Sequence, residues 1–526
     1  MPLYETSFAI RQFMGLNQSG DGYNMDMRYA REMENVNITG GSFTPMREGH
    51  QISQTLHDPI GTLAYLHRRF GTEGTLLVAI SNGSVYTKAL DGDDDWALQY
   101  TGLTVNDCDW VTYEVNYKDG DPLPEPVDVL LFSNAEDGMF CLYGDDLTVV
   151  QVTTPKKFGV IARFNERIWG GGITGDPDML VYSAPFDPFD WEARTEIPED
   201  GAGDIMQPTW DGDSFLALKQ YGNVLLAIKR NSIWRISGTN PGEFVMQQQY
   251  GGGTIAENTV AIYNDFAYML GEYGLMRYDG SGAFPFQQDA LQTLMREQVN
   301  RRLNAVDYPQ YSSTRKYFPG DRCQYLNVFY KCRESTTGTF DNTCWEQLRA
   351  NPMIAACAGM WNGVYCLALP TGDSDYCDTI LQYDTLSRAF SLRTGVSVES
   401  FLQINERLFY TSARYPGRVF ELDDTQGEVR PVKWISGYQD LGVKNSIKSA
   451  FVFYAMVECE VPVELWLGIR TEKKWKEKKV TIRPGKLKRV NLNTQGRVFR
   501  LEIRSYQAIP YTIAGGIKVD LELDPD

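Results

Sequence analysis

The sequence predicts an all-β protein with a repeat architecture, and three observations support this fold class. The 526 residues include 48 Gly and 24 Pro, and 13% are aromatic, a composition that suits many short strands joined by tight turns. Apolar and polar residues alternate through most apolar runs, as expected of strands with one buried face. Strand–turn–strand segments of similar design recur along the chain, which indicates a repeat protein.

Each repeat consists of an apolar strand, a short turn that contains Gly, Asn or Asp, and a second strand of alternating character. Two copies share the tripeptide Asn-Glu-Arg, in FNERIWGGG from Phe164 and INERLFYTS from Ile404. Apart from one gap that contains an insertion, the second strands are spaced by roughly 40 to 55 residues, which is typical of one propeller blade. These strands centre near Val85, Phe140, Val181, Trp234, Met276, Leu381 and Phe420.

We therefore predict a β-propeller of six or seven blades in residues 35–308 and 351–430. A stack of β-sandwiches is the alternative that the same alternation allows. Blades cannot bury their faces alone, so repetition around an axis would supply the core. The Asn-Glu-Arg repeats at 165–167 and 405–407 are predicted to be structural turns with Glu/Arg pairing between strands rather than a catalytic pair.

The segment DALQTLMREQVNRRLNAV, which begins at Asp289, interrupts the repeats and predicts an amphipathic helix. Asp289 can cap the start of this helix, and we expect its apolar face to pack on the rim of the propeller. That face consists of Leu291, Leu294, Met295, Val299 and Leu303.

The two ends of the chain are assigned separately. Residues 431–526 contain runs of clear alternation and predict a small antiparallel β-sandwich, whereas residues 1–34 are assigned as an N-terminal extension. The chain does not open with a basic region followed by an apolar core, and no run approaches the roughly 18 apolar residues of a membrane span. We therefore expect a protein that is made and kept in soluble form.

Charge is unevenly distributed along the chain. The net charge is −18, yet residues 431–526 carry 17 Lys and Arg against 11 Asp and Glu, which leaves −24 for residues 1–430. The acidic body argues against tight DNA wrapping, because neutralising phosphates requires surplus Lys and Arg. The run RTEKKWKEKKVTIRPGKLKR is a candidate docking patch for an acidic partner, or else a solvated edge strand protected by lysines. Its candidate docking residues are Lys473, Lys474, Lys476, Lys478, Lys479, Lys486, Lys488 and Arg489.

The sequence offers little for catalysis, so we expect neither an enzyme nor a cofactor or metal. The His residues are His50, His57 and His67, and none has the spacing of zinc ligands or the context of a Ser-His-Asp triad. The runs WGGGITG and YGGGTIA are not followed by Lys-Ser/Thr and a helix, so neither predicts a phosphate loop. Nine Cys without a Cys-x-x-Cys pair indicate reduced thiols that are mostly buried.

Residues 309–350 contain YFPGDRCQYLNVFYKCRESTTGTFDNTCWEQL, which resembles the small three-stranded carbohydrate-binding modules attached to bacterial chitinases. Tyr317, Gly320, Asp321, Tyr325, Tyr330 and Trp345 match the motif, and Cys323 replaces its usual Val. The resemblance implies an inserted scaffold in which Tyr317, Tyr325, Tyr330 and Trp345 are candidate contacts to a glycan or a partner. The exposed aromatic pair of the sugar platform has no clear counterpart, so packing on a neighbouring subunit is the other interpretation.

Several segments resemble one class of bacteriophage virion proteins. The opening MDMRYAREMENVNITGGSFTPMREGHQI, from Met25, is similar to the opening of that class. FNERIWGGGITGDPDMLVYSAPFDPFDW, from Phe164, and GGGTIAENTVAIYNDFAYMLGEYGLMRYDG, from Gly251, are similar to its blades. The class comprises the β-propeller tail hub or nozzle proteins of short-tailed phages, also called packaged-DNA stabilisation proteins. The likeness consists of dispersed turn and strand patterns over roughly residues 20–430.

This resemblance implies a non-enzymatic component of the virion tail, assembled in the host bacterial cytoplasm as a homohexameric ring below the portal and adaptor. The ring would retain packaged DNA, conduct it during ejection without tight binding, and anchor tail fibres, spikes or plug proteins. Acidic loops would line or surround the bore, and the candidates are Asp93, Asp94 and Asp95, together with Asp107 and Asp109. The alternative function is a glycan-binding propeller lectin or a glycosidase that acts on surface polysaccharide.

Overall fold

The protein is built almost wholly from β-strands, which form a seven-bladed propeller, a β-sandwich and a small inserted sheet. A computed structural model describes residues 4–70, 73–92, 94–118, 121–207, 213–272, 274–286, 288–291, 293–295, 311–325, 328–348, 355–372, 374, 376–485 and 487–524. Each pair of adjacent blades shares an apolar cluster, including blades 7 and 1, so the seven sheets close into a ring.

Blades 1 to 3 are formed by consecutive segments of the chain, with the first strand of each blade innermost. Blade 1 consists of Ile60–Arg68, Gly74–Ser81, Ser84–Ala89 and Ala97–Thr101. Blade 2 consists of Asp109–Lys118, Asp121–Asn134, Gly138–Tyr143 and Val149–Val152. Blade 3 consists of Phe158–Phe164, Arg167–Ile173, Met179–Tyr182 and Gly203–Met206.

Blades 4 to 6 follow the same order. Blade 4 consists of Ala217–Tyr221, Val224–Ile228, Ile233–Ser237 and Val245–Gln248. Blade 5 consists of Ala261–Tyr263, Phe266–Gly271, Gly274–Tyr278 and Ala283–Pro285. Blade 6 consists of Cys357–Trp361, Val364–Leu369, Cys377–Asp384 and Ala389–Val398.

Blade 7 is completed by a strand from the other end of the chain. Its own strands are Ser400–Ile404, Arg407–Thr411 and Val419–Glu421, and the outermost position is taken by His50–Gln51. The propeller prediction is confirmed, and the number of blades is seven. All seven predicted strand centres lie in the third strand of a blade, because the period of the sequence repeat equals the length of one blade.

The turns between first and second strands explain why Asn recurs in the repeats. Asn165 and Glu166 have φ values of 48° and 57°, and Asn405 has a φ of 55°. Asn tolerates this left-handed region better than most residues, and such turns match the twist of paired strands. The predicted Glu/Arg pairing between strands occurs in blade 7, but there Arg407 pairs with Glu421 and not with the Glu of its own turn.

The sandwich combines the two ends of the chain, so the prediction of a separate extension at residues 1–34 is wrong. One sheet has the order Tyr4–Ile10, Thr512–Asp524, Ile447–Glu458 and Leu487–Gly496. The other has the order Ala30–Glu34, Val432–Ser436, Phe499–Ser505, Val463–Thr471 and Trp475–Ile482. The N-terminal strands pair with distant partners because their alternating residues complete the same apolar interior.

The sandwich and the propeller share a continuous core. One apolar cluster includes Trp434 and Phe451 of the sandwich, Phe390 of blade 6 and Leu270 of blade 5. The pair Val36–Asn37 and Thr44–Pro45 bridges the two parts of the fold. Short 3-10 helices complete the described structure at Thr39–Gly41, Pro198–Asp200, Glu257–Thr259, Gln288–Leu291 and Asn342–Cys344.

The predicted insertions lie between blades 5 and 6. A three-stranded sheet consists of Arg322–Tyr325, Val328–Cys332 and Trp345–Leu348. Of the predicted amphipathic helix, Leu291, Leu294 and Met295 are buried against the main core, whereas Val299 and Leu303 lie outside the described residues. All nine cysteines are free thiols, and six of them are buried.

Candidate functional site: the channel mouth and the charged surfaces

Acidic side chains surround the propeller channel at the end where the innermost strands begin. Asp109 starts the first strand of blade 2, two residues after Asp107, and Glu257 lies in the 3-10 helix before blade 5. Desolvation by the surrounding protein and the carboxylates of Asp109 and Asp107 raise the pKa of Glu257 to about 7, with Lys219 of blade 4 opposing the shift. The Glu257 side chain is exposed, so it faces water in the channel mouth and not the apolar core.

The acidic segment of blade 2 is held in place by its neighbours. Asp109 accepts a hydrogen bond of 3.0 Å from the backbone N–H of Ile161 in blade 3. The Thr62 hydroxyl of blade 1 donates to the carbonyl oxygen of Asn106 (2.7 Å) and accepts from the N–H of Cys108 (2.7 Å). Burial raises the pKa of the Cys108 thiol to about 12, so this thiol is protonated and unreactive at neutral pH. The mouth is therefore acidic and rigid.

The predicted acidic bore loop does not line this channel. Asp94 and Asp95 are exposed in the connection from the third strand of blade 1 to its outermost strand, and Asp93 lies outside the described residues. The carbonyl oxygen of Asp94 accepts a hydrogen bond from Lys88 (2.9 Å), which holds the loop against its own blade. Asp94 and Asp95 therefore lie towards the outside of blade 1, and their place along the bore of a ring of copies stays a prediction.

The lysine-rich run forms an edge of the sandwich. Trp475–Ile482 is the outermost strand of one sheet and Leu487–Gly496 is the outermost strand of the other, and the two contact each other. Lys479 forms an ion pair of 2.7 Å with Glu464, and Lys486 lies outside the described residues. The remaining predicted docking residues are exposed or half-exposed: Lys473, Lys474, Lys476, Lys478, Lys479, Lys488 and Arg489. The run is thus an edge strand protected by charge, and it leaves a basic surface accessible.

An arginine-rich sheet face adjoins this basic edge and was not predicted. Arg470, Arg500 and Arg504 surround the buried carboxylate of Glu502 at 3.5, 3.3 and 2.8 Å. The guanidinium groups of Arg470 and Arg504 also lie over the exposed Trp475 ring, at 5.7 and 5.4 Å from its centroid. Alternation marks these positions as outward-facing, but only the sheet order brings them together.

The candidate contacts of the inserted sheet are largely internal. Tyr317 and Trp345 are 0% and 4% exposed and form the core of the module with Cys323 and Cys332. Their candidacy as glycan contacts is therefore wrong, because both side chains pack inside the scaffold of the module. Tyr325 and Tyr330 are half-buried and pack on the Phe340 ring, with centroid distances of 4.1 and 4.7 Å.

A cleft of about 1060 Å³ between blades 5 and 6 was also missed. It lies beside the turns that join the first and second strands of both blades, and the third-to-fourth strand turn of blade 6 borders it. Buried Tyr268, Phe286 and Tyr383 form its floor, whereas Tyr263 and Trp361 are half-exposed at its walls. In the sequence, each of these residues has the character of an ordinary strand or turn residue, so no local pattern predicts the cleft.

Comparisons with known proteins concern the fold. No family model matches the sequence, and no curated protein matches it. Similar solved structures include the computationally designed protein Ika8, with 9% identity over 71% of this chain and 99% of that chain and a TM-score of 0.37. The WD40 domain of Pan2 from Neurospora crassa has 9% identity over 73% and 98%, with a TM-score of 0.34. BamB from Moraxella catarrhalis has 12% identity over 71% and 99%, with a TM-score of 0.35.

The described residues were also searched for membrane spans and metal sites. Within them, no helix has the length and apolar character needed to cross a membrane. In the same part of the chain, no group of three or more His, Cys, Asp and Glu side chains is placed to hold a metal ion.

Proposed function

We propose that the chain is a non-enzymatic structural protein of a short-tailed bacteriophage, in which copies form the nozzle or hub ring of the tail below the portal and adaptor. The likeness of its opening and blade segments to that class supports the proposal. The shared core of propeller and sandwich also supports it, because a large apolar interface suppresses motion between two parts of a chain. Such a block suits a ring that must retain pressurised DNA.

The observation that carries the proposal is the separation of charge between the two parts of the fold. Residues 4–34 and 431–526, which build the sandwich, have a net charge of +4, whereas the rest of the chain has −22. Opposite charges on two parts of one chain favour head-to-tail contacts between copies. Head-to-tail contacts close into a ring when the rotation between copies permits it, and we propose a homohexamer.

Duplex DNA would pass through the bore between copies, and the acidic propellers would repel its phosphates instead of binding them. The outer surfaces, including the inserted module, would contact portal, adaptor, fibre, spike or plug proteins. The assembled protein would reside in the virion tail after assembly in the host bacterial cytoplasm.

The first test asks whether the protein is part of the virus particle. An antibody raised against the recombinant chain is used to probe DNA-filled particles purified from an infected lysate on a density gradient. We expect the protein to migrate with the particles at fixed stoichiometry, with labelling at the tail in the electron microscope. Its absence from particles would exclude the tail role.

A second test addresses the charge argument. The double variant Lys476→Glu/Lys478→Glu reverses two exposed charges of the basic edge strand, and Lys444→Glu/Lys518→Glu reverses the same number elsewhere on the sandwich. In analytical ultracentrifugation at low salt, only the edge variant should lose the ring species. Equal behaviour of the two variants would show that the edge is not the contact between copies.

A glycan-binding lectin or a glycosidase is the second candidate function, and the chitinase-like pattern of the inserted module favours it. Tyr317 and Trp345 are buried, whereas Phe318 is 54% exposed and Tyr325 and Tyr330 are half-buried, so these three aromatic side chains are accessible to a ligand there. A chitin pull-down of wild-type protein against a Phe318→Ala variant tests this candidate. Retention of the wild type alone would support it, and no retention of either would count against it.

A further inference from the structure

The cleft between blades 5 and 6, lined by Tyr263, Tyr268, Phe286, Trp361 and Tyr383, has the form of a small-molecule site. Its volume of about 1060 Å³ is at the upper end of the range usual for ligand pockets, about 300 to 1,000 Å³. Aromatic walls with a few polar groups are the usual lining of such pockets. None of the residues that line the cleft belongs to the basic edge or to the acidic group at the channel mouth.

Two arginines line this aromatic cleft. The Arg277 guanidinium lies over the Phe266 ring at 4.4 Å and over the Phe286 ring at 5.8 Å from the centroids. Arg388, from the third-to-fourth strand turn of blade 6, also lines the cleft. In the described part of the chain, neither arginine forms an ion pair with Asp or Glu. The two guanidinium groups are therefore available to an anion, and Arg is well suited to bind carboxylates.

Hydroxyl donors stand next to these arginines. Burial raises the pKa of Tyr268 and of Tyr383, and Arg277 partly offsets both shifts. Both phenols are therefore protonated at neutral pH and can donate hydrogen bonds. The half-exposed rings of Tyr263 and Trp361 present apolar faces of the kind on which the C–H face of a sugar ring packs.

The carboxylates at the edge of the cleft are engaged in their own turns. Asp384 accepts hydrogen bonds from the Ser387 hydroxyl (2.6 Å) and the backbone N–H of Leu386 (2.9 Å). Asp424 accepts from Arg393 (2.8 Å) and from Asn37 (2.7 Å). These carboxylates and that of Asp423 remain charged, but none of them forms an ion pair with Arg277, and they offer acceptors for ligand hydroxyl groups at the rim.

We propose that this cleft binds a sugar acid, a hexuronate unit of an acidic saccharide, with its carboxylate on Arg277 and its ring against Tyr263 and Trp361. Tyr268 and Tyr383 donate hydrogen bonds to the ligand, and Arg388 adds positive charge at the entrance. A neutral sugar would leave both guanidinium groups without an anion, so the site is selective for the acid.

The test uses tri-galacturonate and its methyl ester as probes in isothermal titration calorimetry with the full chain. The acid should bind, and the neutral ester should bind at least tenfold more weakly. Arg277→Gln should weaken binding of the acid at least tenfold. The matched control is Arg235→Gln. Arg235 holds the equivalent position in the third strand of blade 4, where it is opposite Leu226 as Arg277 is opposite Tyr268. The Arg235→Gln variant should bind the acid as tightly as wild type.

Several outcomes would overturn the proposal. These are no binding of the acid to wild-type protein, equal binding of acid and ester, or an equal effect of both arginine variants. Binding of tri-glutamate in place of the saccharide would assign the cleft to an acidic peptide and would also overturn it. The acid–ester comparison needs no variant, so it remains decisive even if Arg277→Gln fails to fold.

Discussion

The two Asn-Glu-Arg repeats place arginines at the same point of two blades, but in opposite surroundings. In blade 3, Arg167 is 1% exposed. It donates hydrogen bonds to the backbone carbonyl oxygens of Ser183 (2.7 Å) and Gly201 (2.6 Å), and also to that of Glu199. Burial lowers the pKa of Arg167, but an arginine remains charged at neutral pH. All three of these hydrogen-bond acceptors are backbone carbonyl oxygens, so peptide dipoles and not carboxylates stabilise the charge of Arg167 in these contacts.

In blade 7, Arg407 keeps 39% of its side chain exposed and pairs with Glu421 (2.8 Å) and Asp91 (2.9 Å). Hydrogen bonds to Glu421, despite some desolvation, raise the pKa of Arg407. The repeated tripeptide therefore determines the hairpin turn, whereas the loop that follows determines whether the arginine supports the core or a surface ion pair. In blade 3 that loop folds back over the arginine and supplies the carbonyl groups.

The largest effect is expected for Arg167→Met. Removing the guanidinium leaves the buried carbonyl groups of Ser183 and Gly201 without this donor, which should lower the free energy of unfolding by about 3 to 5 kcal/mol. Urea denaturation measures the loss. Arg163→Met is the control in the same blade, since Arg163 is 42% exposed in its ion pair with Glu166 and should change stability by less than about 1 kcal/mol. Equal losses would contradict the distinction between buried and exposed arginine.

A smaller loss of stability is expected near the strand His50–Gln51, which completes blade 7. Gly427 has a φ of +85°, and a Cβ there would lie 2.0 Å from the carbonyl oxygen of Glu48, next to the closing strand His50–Gln51. Gly427→Ala should destabilise the protein by about 1 to 3 kcal/mol. Gly442→Ala is the control, because Gly442 has a φ of +76° with open space around it. If both variants have the same melting temperature, the close contact of Gly427 with Glu48 does not stabilise blade 7.

Arg407→Met should cost only about 1 kcal/mol or less, since its ion pairs are partly exposed. Salt screens exposed charges, and in 1 M NaCl the Debye length is only about 3 Å. The difference in stability from wild type should therefore shrink in 1 M NaCl. Thermal unfolding at low and high salt measures this. A loss that does not depend on salt would mean that packing of the side chain, and not its charge, is responsible.

A further effect depends on pH and concerns Glu257, whose carboxylate lies near those of Asp107 and Asp109. Its pKa rises from 4.5 to about 7 in the folded state. The folded state therefore binds more protons than the unfolded state within this window, and the free energy of unfolding should fall as pH rises through it. Glu257→Gln should flatten the dependence of the melting temperature between pH 5 and pH 8. An unchanged slope in the variant would show that another group titrates.

Much of the propeller was predictable because its signals are local. Strand alternation, Asn and Gly turns and a regular period all act within one blade, which is why the predicted centres from Val85 to Phe420 fall in third strands. The closing strand His50–Gln51 was not predictable, because it is two residues long and its partner is Val419–Glu421. The pairing of residues 4–34 with the C-terminal strands was missed because their partners lie far away along the chain.

The candidate sites were less predictable than the fold, since they depend on which residues meet in space. Composition identified acidic and basic stretches, but topology decided that Asp109 is at the channel mouth and Asp94 is not. The chitinase-like motif identified a scaffold, and burial of Tyr317 showed that its aromatic residues hold that scaffold together. Arg277 gave no signal at all, because its significance lies in the aromatic cleft around it and in the lack of an ion pair with any described carboxylate.

During translation, the strand Tyr4–Ile10 is made long before its partner Thr512–Asp524. At a synthesis rate of roughly 5 to 20 residues per second, it waits from about half a minute to about two minutes for that partner. An unpaired strand edge invites chaperones or aggregation during this interval. A nascent chain released before Thr512–Asp524 is made would leave Tyr4–Ile10 unpaired, so this sheet of the sandwich can close only late in synthesis.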